Sequence, residues 1–370
     1  MRIAYNHQIF LEQEYGGVSR YFVRLCGEMA GMGEDPRIFA GLFINRYLEQ
    51  MPPGLWKGTR IPKLPFGGMT LADSAARLCG RMDMARWKPD VVHETYFQYR
   101  SAGPATAPVV VTVHDMIHEL FGGDSEGSMR ASAVKKAAVS RADHIICISE
   151  STKRDLISLW DTPPEKISVV YHGFEDAGVE MAAGDTPQQM FRRPFILYVG
   201  HRSGYKNFEG VLRAYAQSPV LKENFDLRAF GGGPFTPMES EEIARLQVGD
   251  RVFQTGGDDA LLNRHYREAV LFVYPSKYEG FGLPPLEAFA NRCPVVSSHA
   301  SCMPEVLGDA AEFFDPESEE EIRNAMERVL LDPEHHADLI ERGTRRGSRF
   351  SWRRCAAETL QVYERVLGAN

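Results

Sequence analysis

The sequence predicts an α/β protein made of two doubly wound domains, each built around a parallel sheet. Three observations predict it. The 370 residues exceed the usual size of a single hydrophobic core. Short apolar runs without polar alternation follow one another between helical patterns, which is typical of strands buried on both faces of a parallel sheet. The polar segment 174–194 interrupts this alternation, so we expect it to link the domains.

The first half contains six apolar runs that are bounded by turn residues and are predicted as strands. They cover residues 2–6, 36–43, 90–94, 108–115, 144–149 and 167–173. Helical patterns lie between them, at 17–32, 70–87, 127–141 and 150–160. Strands that alternate with helices form βαβ units with right-handed crossovers, so these elements predict one doubly wound domain.

The second half repeats the scheme. Its predicted strands cover residues 195–200, 227–232, 252–256, 269–276, 294–298 and 311–315. Its predicted helices cover residues 207–217, 239–246, 259–267, 284–291, 303–307 and 318–331, and a last amphipathic helix covers 352–367. Ligands of such sheets bind beyond the carboxyl ends of the strands, so we expect the functional residues directly after strands.

Composition and charge exclude several classes of protein. A net charge of −8 and a pI near 5.8 argue against a nucleic-acid binder, which would have a basic excess. No apolar run approaches the roughly 18 to 20 residues of a membrane helix, and Glu12 and Glu14 lie where a signal peptide would be apolar. The six cysteines are scattered and form no CxxC pair. We therefore expect a cytoplasmic protein with reduced thiols and no zinc site.

In each half, one loop after the first strand is a candidate anion site: a glycine-containing loop in the first half and a basic loop in the second. In YGGVSRYFVRL (15–25), Gly16 and Gly17 precede a helix whose first N–H groups could bind a phosphate, although a plain connecting turn is the commoner explanation. In VGHRSGYKNFEG (199–210), Arg202 and Lys206 precede Asn207, a predicted N-cap. Together they would suit a diphosphate, and a solvated basic loop is the alternative.

The segment KYEGFGLPPLE (277–287) places Glu279 and Glu287 at its two ends. Pro284 and Pro285 suit the first positions of a helix, so Glu287 is predicted in its first turn. A carboxylate can accept two hydroxyl groups at once, which suits the vicinal diols of sugars and ribose. A favourable charge at a helix start, of about 0.3–1 kcal/mol, would explain Glu287 but not Glu279.

His114 and Asp115 follow a predicted strand of the first half, where a ligand-binding residue is expected. The HDMIH spacing is similar to a zinc signature, but it begins at a strand end and has no evident third ligand, so we reject a metal site. A hydrogen-bonded structural histidine is the alternative. The turn FGGGPF (230–235) lacks the spacing of a dinucleotide fingerprint.

These motifs together resemble the large retaining glycosyltransferase family 4, which has the GT-B fold. The family's E-x7-E signature matches Glu279 to Glu287, YVGHRSGYKNF matches its phosphate loop, and YHGF (171–174) marks the entry to its second domain. The resemblance implies an acceptor-side domain over 1–173, completed by the C-terminal helix 352–370. It also implies a nucleotide-sugar-binding domain over 174–351, facing the first across a cleft.

The resemblance also implies roles for the candidate residues. Glu287 would hold the donor ribose, Glu279 the transferred sugar, and Lys206 the diphosphate. Residues with catalytic roles would be His114, Lys206 and Glu279, and the donor site would comprise Gly16, Gly17, Arg202, Lys206, Glu279, Phe281, Gly282, Leu283 and Glu287. The family's usual arginine position is occupied here by His201, with Arg202 one residue later.

The implied reaction is a retaining sugar transfer from a nucleotide-diphosphate sugar, without a metal or another cofactor. The HD pair and the KNF loop look most like bacterial members that build lipopolysaccharide or O-antigen, many of them mannosyltransferases that use GDP-sugars. The acceptor would be a glycan or a polyprenyl-linked glycan. A UDP-sugar donor stays open, as does a non-catalytic, two-lobed sugar-binding protein.

Residues 57–88 are rich in basic side chains, which could favour peripheral contact with anionic lipid at the cytoplasmic face of the inner membrane. These side chains are Lys57, Arg60, Lys63, Arg77, Arg81, Arg86 and Lys88. From sequence we favour the alternative, a solvated basic face.

Overall fold

The computed structural model describes residues 1–63, 66–123, 125–174 and 191–368. Most of the predicted linker, at 175–190, therefore lies outside the described residues. The chain divides into two compact units. One comprises Met1–Gly173 with Phe350–Asn370, and the other comprises Phe174–Arg349. Within the described ranges, no helix is long and apolar enough to cross a membrane.

The first unit is built on a seven-stranded sheet in which every pair of neighbours is parallel. Its strands are β1 (Arg2–Tyr5), β2 (Asp35–Phe43), β3 (Trp56–Arg60), β4 (Val91–Glu94), β5 (Val109–Val113), β6 (His144–Cys147) and β7 (Ile167–Val169). They are arranged in the order β3-β2-β1-β4-β5-β6-β7. The order reverses between β1 and β4. The strand β3 was not predicted, because Trp56 is its only large apolar residue and most of the strand is exposed at a sheet edge.

Six helices of the first unit precede the second unit in the chain. They are α1 (Gln8–Glu12), α2 (Gly17–Gly31), α3 (Phe66–Trp87), α4 (Ile117–Phe121), α5 (Glu126–Arg141) and α6 (Glu150–Trp160). Short 3₁₀ turns cover Leu48–Gln50 and Pro164–Lys166. The helix α2 begins after β1 and α1, so its first turn lies beyond the carboxyl end of a central strand, as a ligand-binding turn should.

The second unit contains a six-stranded sheet that is also parallel throughout. Its strands are β8 (Phe195–Val199), β9 (Asp226–Phe230), β10 (Val252–Thr255), β11 (Leu271–Tyr274), β12 (Val295–Ser298) and β13 (Ala311–Phe314). Their order is β10-β9-β8-β11-β12-β13, so it reverses between β8 and β11. The loops that leave these two neighbours start at the switch point, where doubly wound sheets bind ligands.

The helices of the second unit cover both faces of that sheet. They are α7 (Phe208–Gln217), α8 (Pro219–Asn224), α9 (Pro237–Arg245), α10 (Asp259–Glu268), α11 (Leu283–Ala290), α12 (Met303–Leu307), α13 (Glu319–Leu331) and α14 (Pro333–Gly347). Neither α8 nor α14 was predicted from sequence, although both have a recognisable start. Each begins at a proline that follows a capping residue, Ser218 or Asp332.

The last helix, α15 (Trp352–Gly368), packs in the core of the first unit. Its buried residues recur every three or four positions, at 352, 355–356, 359, 362–363 and 366, as one face of a helix requires. The hydroxyl group of Tyr363 lies 2.6 Å from Nδ1 of His93, whose Nε2 lies 2.8 Å from the Thr112 hydroxyl. These bonds join the helix to β4 and β5 of the sheet.

Candidate functional site

The loops after β8 and β11 bring two of the predicted site residues together. Nζ of Lys206 donates a hydrogen bond to Oε1 of Glu279, 2.6 Å away, although 73 positions separate them in the chain. Glu279 is buried and Lys206 is half-buried. The result is a cation and a carboxylate in contact at the switch point of the second sheet, which suits a ligand that carries both a diphosphate and sugar hydroxyl groups.

The phosphate loop is held in place by polar contacts along its length. The Tyr198 hydroxyl, on β8, donates to the carbonyl groups of His201 and Lys206. The N–H of Lys277 donates to the Tyr205 carbonyl at 2.7 Å, which joins this loop to the one that carries Glu279. These contacts fix the backbone on both sides of the ion pair.

Asn207 takes a different role from the predicted one. It occupies the N-cap position of α7 with a left-handed backbone, at φ 54°, but its side chain makes no capping bond. Its Nδ2 donates instead to the carbonyl groups of Pro275, at 3.3 Å, and Pro316, at 2.8 Å. The side chain therefore connects the loops that follow β8, β11 and β13, which positions Lys206 beside Glu279.

Glu279 is held at its backbone and is surrounded by neutral hydroxyl groups. Its N–H donates to the Ser301 hydroxyl at 2.9 Å, and its carbonyl accepts from Sγ of Cys302 at 3.2 Å. Burial, and after it the charge of Glu279, raises the pKa of Tyr274 well above 10.0. The same two causes raise the pKa of Tyr198. Both phenols thus remain protonated at neutral pH and can donate hydrogen bonds.

The start of α11 requires a glycine. Gly282 has φ 85°, in the left-handed region, and a Cβ there would lie 2.5 Å from Cε of Met303. The flanking Phe281 is buried and Leu283 is half-buried. The geometry places the first backbone N–H groups of α11 directly after the loop that carries Glu279, where the predicted backbone contacts to a donor would be made.

The prediction that Glu287 lies in the first turn of its helix is wrong. The helix begins at Leu283, so Pro284 is its second residue and Glu287 its fifth. A favourable charge at the helix start therefore does not account for Glu287, because that effect decays within the first turn. Its carboxylate accepts a hydrogen bond from the hydroxyl group of Tyr266, on α10, at 3.2 Å. Tyr266 is fully buried, so this bond ties the carboxylate to the core of the second unit.

Arg202 does not face an open site. Its guanidinium is buried, and it donates to Glu239 through Nε (2.7 Å) and Nη2 (3.2 Å). It also donates to three backbone carbonyl groups, those of Gly231, Gly233 and Pro234. A guanidinium has five N–H groups, and all five are occupied. The prediction that Arg202 binds the diphosphate therefore does not hold in this conformation, in which Arg202 positions the turn after β9.

The predicted glycine turn of the first unit is a helix start with open N–H groups. Ser19, the third residue of α2, donates its N–H to Oε1 of Gln13 at 3.1 Å. A Cβ on Gly16 would lie 2.2 Å from that same oxygen, whereas one on Gly17 would meet open space. Among the described residues, none accepts from the N–H of Gly17 or Val18, so an anion could. Its approach to a diphosphate held by the other unit stays a prediction.

His114 directly follows β5 and packs on α2. Its ring lies 5.2 Å from the Tyr21 ring, edge to face, and 5.6 Å from the His172 ring. Burial first, and then His93 and Lys135, lowers the pKa of His114 to about 3. The imidazole is therefore neutral at pH 7. Its buried Nε2 has no hydrogen-bond partner within the described ranges. Contact of this nitrogen with a sugar hydroxyl group stays a prediction, and it requires the nitrogen to become accessible.

Three residues that position the site were missed from sequence, namely Tyr198, Tyr266 and Ser301, and Asn207 was predicted only as an N-cap. No local signal indicated Tyr198, because a tyrosine in an apolar run is ordinarily a core residue, or Tyr266, because its neighbours NRHYRE are those of an ordinary surface helix. Over the described part of the chain, no three His, Cys, Asp or Glu side chains converge closely enough to hold a metal ion.

Two family descriptions match this chain, one for each half. Residues 15–177 match "Glycosyltransferase Family 4" and residues 188–346 match "Glycosyl transferases group 1". The ranges fall largely within the first and the second unit, respectively.

The chain is also similar to curated proteins and to solved structures. It is 29% identical over 324 residues to the serotype-specific mannosyltransferase WbdA of Escherichia coli, which covers 80% of this chain but only 39% of that protein. It is 27% identical over 242 residues to the O-antigen chain mannosyltransferase B of Escherichia coli, covering 61% of this chain and 62% of that one. The structure of sucrose-phosphate synthase from Thermosynechococcus elongatus matches with a TM-score of 0.75 at 20% identity, over 100% of both chains.

Proposed function

Since this chain belongs to glycosyltransferase family 4 and has the GT-B fold, we propose that it transfers mannose, or a related hexose, from a GDP-sugar with retention of configuration. The acceptor would be a glycan or a polyprenyl-linked glycan in the synthesis of bacterial O-antigen or lipopolysaccharide. The names of the two Escherichia coli mannosyltransferases support the choice of sugar and of pathway. Transfer would take place at the cytoplasmic face of the inner membrane.

The Lys206–Glu279 pair is the observation that carries this proposal. A sugar nucleotide presents a diphosphate directly next to a ring of hydroxyl groups. The pair offers an ammonium for the first and a carboxylate for the second, at one point on the carboxyl edge of the sheet. Glu287, fixed by Tyr266, adds a second carboxylate in the same segment for a ribose diol.

The chemistry that these residues can perform is stabilisation of the leaving group. In the proposed step the bond from the anomeric carbon to the diphosphate oxygen breaks, and the acceptor oxygen forms the new bond on the same face. The acceptor proton passes to the departing diphosphate. Lys206 and the N–H groups at the start of α11 would hold the growing negative charge, so we propose that no metal ion is needed.

The test combines binding with product analysis. Thermal shift with GDP-mannose, UDP-, dTDP- and ADP-sugars identifies the donor, because a ligand specific for the folded state raises Tm. We expect GDP-mannose to give the largest shift, and incubation with acceptor to release GDP. Activity should survive a chelator.

Other outcomes would replace the proposal with one of its alternatives. A shift and turnover with a UDP-sugar alone would establish the other donor class. Binding of a sugar nucleotide without release of nucleoside diphosphate, with every acceptor offered, would favour a non-catalytic sugar-binding protein. No shift with any nucleotide or nucleotide-sugar would refute both donor classes.

A further inference from the structure

The inner face of α3 is packed firmly against the first sheet. Ala72 and Ala76 are buried in a cluster with Leu11 and Ile44. Gly41, on β2, has φ 59°, and a Cβ there would lie 2.5 Å from the Ala76 carbonyl oxygen, so helix and strand are in close backbone contact. The orientation of α3 is therefore fixed, and with it the identity of the side chains that point outward.

The outer face of α3 is also apolar, and it is exposed. It consists of Leu71, Ala75, Leu78, Met82 and Ala85, which recur every three or four residues and so form one stripe. Leu71 is 75% exposed, Leu78 61% and Met82 46%. A helix that lies on a sheet and faces only water would carry polar residues along this stripe. The sequence showed these apolar residues, but it did not show that they lie outside.

The charges around this stripe are mainly positive. Residues 57–88 contain seven basic and two acidic side chains, a net +5, in a chain whose total is −8. Both acids are paired: Asp83 binds Lys57 at 2.7 Å, and Asp73 binds Arg77 at 2.9 Å.

Two arginines beside the stripe are available to an outside partner. The Arg86 side chain is 74% exposed and only approaches Asp83, at 3.9 Å. Arg81 is exposed too, and no carboxylate within the described ranges lies at ion-pair distance from it. Because these arginines lie beside exposed leucines, the outer face of α3 is both cationic and apolar.

We propose that the outer face of α3 binds the surface of a membrane that contains anionic lipid. The leucines and Met82 would enter the boundary between headgroups and acyl chains, and Arg81 and Arg86 would bind lipid phosphates. A 22-residue helix is about 33 Å long, so the stripe can lie in the membrane plane over several headgroups.

A second copy of this chain fits the face less well than a membrane does. Two-fold pairing through the stripe would place one net-positive segment against an identical one, whereas an anionic surface neutralises the charge. The proposal replaces the solvated basic face that the sequence favoured. It does not depend on the sugar transfer proposed above, because membrane binding can be measured without a donor.

Co-flotation with lipid vesicles tests the proposal on the full chain. The wild-type protein should float with vesicles of phosphatidylcholine mixed with phosphatidylglycerol, and far less with phosphatidylcholine alone. The double variant Leu71→Glu/Leu78→Glu should bind the mixed vesicles at least about tenfold more weakly. Arg81→Glu/Arg86→Glu should weaken binding by about fivefold for each arginine, and added salt should weaken the wild type in the same way.

The matched control is Leu331→Glu, because Leu331 is a leucine that is 58% exposed on α13 of the other unit. This variant should bind the mixed vesicles as the wild type does. Far-UV circular dichroism and Tm verify that each variant is folded, and the arginine pair tests the proposal even if the leucine pair misfolds. The proposal fails if the wild type does not float with anionic vesicles, or if Leu71→Glu/Leu78→Glu binds them as strongly as the wild type does. It also fails if the wild type binds no vesicles and instead sediments as a dimer that the variant Leu78→Glu dissociates.

Discussion

Removal of the Lys206 ammonium should separate its chemical role from its structural one. The side chain is only 20% exposed and its Nζ lies 2.6 Å from Glu279. In Lys206→Ala the Glu279 carboxylate keeps its largely buried place without a cation, which should cost about 1–3 kcal/mol of the free energy of unfolding. If Lys206 also holds the leaving diphosphate, kcat should fall by about 10²–10³-fold, as for loss of one charge-stabilising donor.

The double variant Lys206→Ala/Glu279→Gln distinguishes the two effects. It removes the orphaned charge, so Tm should return toward the wild-type value while kcat stays low. Donor turnover is followed by release of nucleoside diphosphate, and unfolding by a denaturant or thermal melt of each variant.

Lys277→Ala is the matched control, because it removes the same charge from the neighbouring loop, the one that carries Glu279. The Lys277 side chain pairs with Glu317 at 2.7 Å, away from Glu279, and its backbone bond to Tyr205 survives the change. This variant should keep kcat. Near-normal turnover in Lys206→Ala would remove the lysine from the mechanism. Recovery of turnover together with Tm in the double variant would show that the loss was only structural.

Three further predictions follow from the site. Glu287→Ala should weaken donor binding, measured by donor titration, by about 10- to 100-fold while kcat changes little. Tyr266→Phe should weaken donor binding to a smaller extent. A loss of turnover at unchanged donor affinity would contradict this prediction. Arg202→Lys should lower the free energy of unfolding by about 3 kcal/mol and leave donor affinity nearly unchanged, whereas weakened donor binding at an unchanged Tm would place Arg202 on the diphosphate after all. The pKa of His114 is lowered to about 3 in the fold. The unfolded chain therefore binds its proton first as pH falls, and the stability contributed by a neutral His114 is present above about pH 6.5 and lost below it. At pH 5 the loss is about 2 kcal/mol. Melts between pH 7 and 5 should show a shallower decline for His114→Gln, and an unchanged slope would refute the assignment.

The family and the two-sheet fold were correctly predicted from the sequence, and the comparisons confirm both. The signals concerned are local. A strand buried on both faces is an apolar run wherever the sheet places it, and turn residues bound it on either side. The strand β3 was not predicted because an exposed edge strand is not an apolar run.

Positions along the chain also indicated which loops could form a site, because residues directly after parallel strands gather at one edge of a sheet. Lys206 and Glu279 meet for this reason. The spacing could not predict the partners of Arg202, since its five acceptors lie on a turn and a helix about 30 residues further on. Nor could it predict that Tyr266 fixes Glu287, because α10 and α11 are adjacent only in the folded unit.

The sequence by itself determined that this chain alternates buried strands with helices, and that its carboxylates and lysine follow strand ends. Only the tertiary structure decided which charges pair and which side chains face water. The physical reason is the same in both cases, since pairing and exposure depend on neighbours that are distant in the chain. The helix α3 shows it most clearly. Both of its faces are apolar in the sequence, and only its packing on β2 determines that Leu71 and Leu78 lie outside.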